Sequence, residues 1–172
     1  MQRGALFDST GRYRYHLWRE WDQAQPRIGF IMLNPSRADD QIDDPTIRRC
    51  MGLAQAWGYG ALETANLFAY CTAHPAELRQ VADPIGREND HYLRALSHHC
   101  DLVILAWGNG GVWQGRDRAV LSLLADQPNL YCLGLTQLGQ PRHPLYISRG
   151  ASLLPLWDAL KQANVVWIRH RS

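Results

Sequence analysis

The chain has 172 residues, of which 46% are hydrophobic and 20% charged, and its formal charge is +2. That is an ordinary globular balance, suited to one α/β domain over residues 1–172 with one sizeable core. It offers no run of about eighteen apolar residues for a membrane span, and so near-neutral a total neither demands nor forbids a nucleic-acid partner.

In chain order, the opening reads as a β-hairpin. Gly4-Ala5-Leu6-Phe7 and a strand over 13–18 flank a turn at Asp8-Ser9-Thr10-Gly11. The second arm alternates, with Tyr13, Tyr15 and Leu17 on one face and Arg14, His16 and Trp18 on the other. Arg27-Ile28-Gly29-Phe30-Ile31-Met32-Leu33 is a near-continuous apolar run, as expected of a central strand covered on both sides. It stops at Asn34-Pro35, because proline cannot donate to a ladder. An acidic loop follows over 36–43.

Asp44-Pro45 then reads as the cap and first residue of a helix that carries Ile47, Met51, Ala54 and Trp57 and ends at Gly58 or Gly60. A second core strand is expected over 62–69, a short helical piece over 76–80 and a helix over 88–99. A third strand over 101–107 is halted by Gly108-Asn109-Gly110-Gly111. A helix over 116–125, a strand over 130–135 and a proline- and histidine-bearing loop come next. Ser152 is placed as the cap of a last helix, and a final strand over 164–168 closes the chain.

Strands alternating with helices imply βαβ units. The expected fold is therefore a three-layer α/β/α sandwich around a mostly parallel sheet, preceded by the hairpin. In such sheets ligands bind beyond the carboxyl ends of the strands. Asn34, Trp107-Gly108 and the loop at 140–143 all follow strands, and the end of the second strand is near Asn66, so with parallel strands they are expected on one rim. The start of the chain is polar rather than signal-like, which makes cytoplasmic the expected location. Cys50, Cys71, Cys100 and Cys132 form no Cys-x-x-Cys pair, so reduced thiols are expected, with no metal and no cofactor.

Several of these segments are similar to a known family. Arg14-Tyr15-His16-Leu17-Trp18-Arg19, Met32-Leu33-Asn34-Pro35-Ser36, Asp43-Asp44-Pro45-Thr46-Ile47-Arg48-Arg49-Cys50, Asn66-Leu67-Phe68-Ala69 and Arg142-His143-Pro144-Leu145-Tyr146 together resemble a bacterial and phage family catalogued as domain of unknown function 1643. The order of strand-end motifs is also similar, more distantly, to the uracil-DNA glycosylase superfamily. Leu33-Asn34-Pro35-Ser36 resembles the Asn-Pro variant of its water-positioning motif, and Asn66 stands at the place of a base-reading asparagine. Leu105-Ala106-Trp107-Gly108 and His143-Pro144-Leu145 match the third and fourth motifs. The chain departs from that superfamily in lacking its second loop proline and the aspartate of the most active branch.

The second resemblance implies a glycosylase-like protein acting on or binding a nucleobase, in DNA or as a nucleotide. Hydrolysis of an N-glycosidic bond needs a donor for the departing base and a positioned water. His143 is the expected donor. Asn34 is expected to orient the water, and the nearby carboxylates, Asp43 foremost, to supply basicity. Asn66 suits a base edge, and Phe68, Tyr70 or Trp107 offers a ring to stack on it. Pro35, Ser36, Gly108 and Arg142 complete the expected ligand site, and Leu145 is a candidate wedge into a duplex. Two alternatives stand beside this reading: a non-catalytic nucleotide- or nucleic-acid-binding module, and an enzyme using the same rim on a small non-nucleic substrate. The residues do not define an oligomeric state.

Overall fold

A computed structural model describes residues 1–148 and 150–165. A hairpin of β1 (Gln2–Phe7) and β2 (Arg14–Glu20) leads into β3 (Arg27–Met32), α1 (Pro45–Ala56) and β4 (Ala61–Asn66). Then come α2 (Asn89–His99), β5 (Leu102–Leu105), α3 (Arg116–Leu123) and β6 (Leu130–Cys132). A short β7 (Leu154–Pro155) and α4 (Leu156–Gln162) follow. Short 3-10 turns lie at Pro75–Gln80, Asn109–Gly115 and Pro144–Tyr146.

The seven strands form one mixed sheet in the order β1-β2-β4-β3-β5-β6-β7. The four central strands β4, β3, β5 and β6 are mutually parallel. β1, β2 and β7 add antiparallel edges. Strand alternation divides the apolar side chains between two clusters. Ile28, Phe30 and Met32 of β3 meet Ile47, Cys50 and Ala54 of α1. Ile31 and Ala65 instead join Leu93 and Leu96 of α2, Val120 and Leu121 of α3 and Leu156 and Leu160 of α4. The continuous apolar run of β3 is thus explained by cover on both sides. Gly29 lets α2 come close, since a Cβ there would lie 2.6 Å from Leu96 Cδ2.

This topology fixes where a ligand can enter. The chain leaves β3 through α1 to β4 on one side, then crosses through α2 to β5 on the other. The connections diverge between β3 and β5, so a crevice opens beyond their carboxyl ends.

The structure corrects three expectations. Ser152 does not cap the last helix, whose N-cap is Pro155. The strand expected over 164–168 begins instead with Asn164 in a turn at φ 52°, and 166–168 lie outside the described residues. In β2 the register moves from Leu6↔His16 to Phe7↔Arg14, which makes Tyr15 the extra residue of a bulge. The simple alternation therefore fails at that point. Tyr15 stacks on Tyr92 of α2, 5.1 Å between ring centroids, while Arg14 is buried toward the loop before α1 and donates to Ala38 O at 2.6 Å.

Candidate functional site

A cleft of about 570 Å³ opens at the β3–β5 crevice, a volume typical of small-molecule sites. Leu33 and Asn34 from the end of β3, Trp107, Gly108 and Asn109 after β5, and Thr136, Gln137, Arg142, His143 and Tyr146 from the loop after β6 line it, with Pro75. A recess of about 40 Å³ adjoins it on the β4 side, lined by Arg14, Met32, Pro35, Ser36, Asp44, Thr46, Ile47 and Asn66. Asn34 and His143 line both spaces.

Asn34 is held by its own amide. Nδ2 donates to Pro35 O at 3.0 Å and Thr72 O at 2.9 Å. With both amide hydrogens spent, only Oδ1 remains to act, as an acceptor. Asn66 ends β4 with its side chain buried. Its backbone is clamped by Asn89, whose Nδ2 donates to Asn66 O at 2.8 Å and Leu67 O at 3.0 Å. Its own Nδ2 is buried without a hydrogen-bond partner, and an unmatched buried donor is costly unless a ligand engages it.

His143 caps the 3-10 turn Pro144–Tyr146 through Nδ1, which accepts from Leu145 N at 3.2 Å. That bond assigns the neutral ring's proton to Nε2, leaving Nε2–H as a donor. Burial holds the imidazole below its ordinary value of 6.5, against the opposing pull of the Asp44 carboxylate. The loop carrying His143 is anchored on α1 by Arg49. Its Nη2 donates to Ile147 O at 3.2 Å and Ser148 O at 3.3 Å, and Nε to Pro144 O at 3.4 Å. Arg49 is thereby used on main-chain carbonyls.

Trp107 is a fully packed wall. Its Nε1 donates to Gln140 Oε1 at 2.9 Å, and Gln140 Nε2 donates to Asp117 Oδ2 at 3.2 Å, all three residues buried. This chain ties the wall to the loop after β6. Gln140→Ala orphans the indole N–H and one carboxylate oxygen, so it is expected to cost about 1–3 kcal/mol in chemical denaturation.

Three expected site residues, Asp43, Phe68 and Leu145, lie outside the lining of both spaces. Asp43 does not face either cavity. Arg19 Nε donates to its Oδ1 at 2.8 Å and Arg3 Nη2 to its Oδ2 at 3.0 Å, so both oxygens serve ion pairs and it is unavailable as a base. Phe68 is a core residue, packed on Trp113 at 5.2 Å; its amide donates to Leu33 O at 3.0 Å, but it lines neither space. Leu145 is exposed without lining either space, and Ser36 is exposed at the rim of the recess. Asp44 is the N-cap of α1, accepting from Ile47 N at 2.9 Å, and it lines the recess. Pro35, Asn66, Trp107, Gly108 and Arg142 do join the lining, with Asn34 and His143.

Sequence reasoning missed Arg14. Burial brings its guanidinium down to about 10, opposed by nearby acidic groups, which still leaves it cationic at neutral pH. Its only trace in the sequence was its place in the Arg14-to-Arg19 motif. Among the described residues, no group of three or more His, Cys, Asp or Glu is arranged to hold a metal ion, and no helix is long and apolar enough to cross a membrane.

Fold and site together define an α/β protein with a cleft at the switch point of its parallel strands. The chain belongs to the family described as Protein of unknown function (DUF1643), whose model matches residues 14–145. That span takes in β2, the recess and every residue of the cleft lining except Tyr146. No curated protein and no solved structure matches the chain.

Proposed function

We propose that the cleft and recess hold a nucleobase, in DNA or as a nucleotide, and that the protein is a uracil-DNA-glycosylase-like member of a layered α/β/α class. The observation that carries this reading is the meeting of Asn34, Asn66 and His143 where recess and cleft join. A base entering the cleft along the Trp107 wall would offer its polar edge to Asn66. Asn34 Oδ1 would hold a water against the sugar carbon, and His143 Nε2–H would donate to the base as it leaves with the bonding electrons. Asp44, on the recess, is the carboxylate in range of His143 to receive the proton of that water.

A second reading has its own support. With Asp43 bound by Arg19 and Arg3 and an amide at position 34, the same pocket would bind a base without hydrolysing it. The two separate in one experiment. The chain and an Asn34→Ala, His143→Ala double variant are incubated with uracil-, mismatch- and modified-base oligonucleotides and with free nucleotides, and both base release and ligand-induced thermal stabilisation are followed. Release by the parent alone supports catalysis. Stabilisation of the parent alone, without release, supports binding. Neither effect on any probe refutes the nucleobase reading. For an oligonucleotide that does bind, affinity should fall steeply with salt, because phosphate contacts release counterions.

A further inference from the structure

The recess beside the cleft has features that nucleobase stacking does not require. Arg14 Nε and Asn66 Nδ2 are both buried without a hydrogen-bond partner, and both residues line it. Both side chains are more than nine-tenths buried, at 3% and 2% exposure. The guanidinium donates to one carbonyl, Ala38 O at 2.6 Å, and forms no ion pair among the described residues. Asp44 and Asp39 act on this guanidinium only through space, and a buried cation without a direct carboxylate partner is expensive to hold unless something negative meets it.

The recess also sits at the N-terminus of α1. Thr46 and Ile47 of the first turn line it, and that turn carries no acidic side chain. The peptide dipoles therefore add positive potential at the same point. Asp44 brings a carboxylate to the lining, but its Oδ1 accepts the Ile47 amide and its charge falls on the helix terminus. A volume of about 40 Å³ has room for about three water-sized groups. That suits a small planar group better than a whole ring.

We propose that the recess is an oxyanion subsite, in which Arg14 Nε and Asn66 Nδ2 donate to an anionic oxygen of the ligand whose body fills the cleft. The ligand class is one with a carboxylate, or with a carbonyl oxygen that takes up negative charge when the group carrying it departs with the bonding electrons. The opening between the two spaces, bounded by Asn34 and His143, is the route by which that oxygen enters. The subsite deepens the nucleobase reading of the same pocket where it rests on the cleft, but the donor pair stands without it.

The test uses the full chain with formate as the anion, alone. The Arg14 Nε–Hε proton–nitrogen NMR resonance is followed through a formate titration, against chloride at matched ionic strength. The expected result is a saturable shift with formate and none with chloride, together with a raised thermal midpoint. Asn66→Asp, which sets a like charge against the anion, should weaken formate binding by at least about tenfold. Asn66→Ala should weaken it less and carries the comparison if the aspartate variant does not fold. An Arg48→Ala control on the exposed side of α1 should bind as the parent does. No shift of the Arg14 resonance, or the same affinity in both Asn66 variants as in the parent, would overturn the subsite. Formate binding without binding of any base overturns the nucleobase reading and leaves the subsite standing; base binding without formate binding does the reverse.

Discussion

Replacing Arg19 with methionine is expected to lower the unfolding free energy by about 3–5 kcal/mol, because it removes a fully buried guanidinium that holds the part-buried Asp43 carboxylate and several main-chain carbonyls at once. Arg19 is fully buried. Besides its 2.8 Å bond to Asp43, it donates to Trp18 O at 2.9 Å, Asp39 O at 2.5 Å, Ile42 O at 3.3 Å and Gly4 O at 3.4 Å. One side chain thus gathers the carbonyls of the hairpin and of the acidic loop before α1. Methionine fills the volume but returns none of these bonds, so Asp43 Oδ1 and the carbonyls of Trp18 and Asp39 lose their Arg19 donor, while Asp43 Oδ2 keeps Arg3 and Ile42 O keeps the Asp39 amide. Arg3, the outer partner of Asp43, is a quarter exposed, and Arg3→Ala should cost no more than about 1 kcal/mol. Urea denaturation of both variants measures the difference. A loss below about 1 kcal/mol for Arg19→Met would show that the loop is held by other means. The loop leads into Asp44, so the variant should also weaken any ligand whose binding needs the recess.

The same residues show what was legible in the sequence. β3 and α1 announced themselves, since an apolar run ended by Asn-Pro and a cap followed by proline are local signals. The helix runs Pro45–Ala56 with Asp44 accepting from Ile47 N, as that pattern implies. The rim was legible too, because strand ends in a βα scaffold must gather on one side. Asn34, Asn66, Trp107, Gly108, Arg142 and His143 all line the two spaces. What the sequence hid depends on partners distant in the chain. Asp43 looked free beside the capping Asp44, and only Arg19, 24 positions earlier, reveals it as an ion-pair residue. Phe68 stands two residues from Asn66 in the strand expected over 62–69, close enough in sequence for a stacking ring, but β4 ends at Asn66 and Phe68 packs into the core against Trp113. A strict period of two puts Arg14 on the wrong face of β2, because a bulge at Tyr15 breaks that period and no local signal in the hairpin marks the extra residue. Glu63, inside an apolar-looking strand, is likewise explained by long-range partners. His16 Nε2 at 2.8 Å, His99 Nδ1 at 2.7 Å and Arg27 at 2.9 Å hold it, and despite its burial His16 and the other basic groups keep its carboxyl below the ordinary range.

His143→Ala and His143→Asn separate what this side chain holds from what it does. The imidazole has two roles at two nitrogens: Nδ1 caps the Pro144–Tyr146 turn, and Nε2–H is the donor left for a ligand. Asparagine is a good cap, so His143→Asn should keep the loop and lose the donor, while alanine loses both. If the protein releases a base, both variants should fall in kcat by about 10²- to 10³-fold, as when one donor to a developing anion is removed. Only the alanine variant should also lose thermal stability. If the protein only binds, the affinity of each variant replaces the rate as the readout. The pH profile carries an independent signature. Burial lowers the folded-state pKa below 6.5, so the folded chain binds fewer protons than the unfolded chain in the window between the two values. Stability from this group is therefore complete above about 6.5 and is lost as the pH falls through the lower, folded value. Activity or binding that needs a neutral ring with its proton on Nε2 should show the same acid limb and stay flat through neutrality. In His143→Asn that limb should vanish from the pH profile of stability and of binding alike. A limb that persists in the asparagine variant would assign the titration to another group and remove His143 from the chemistry.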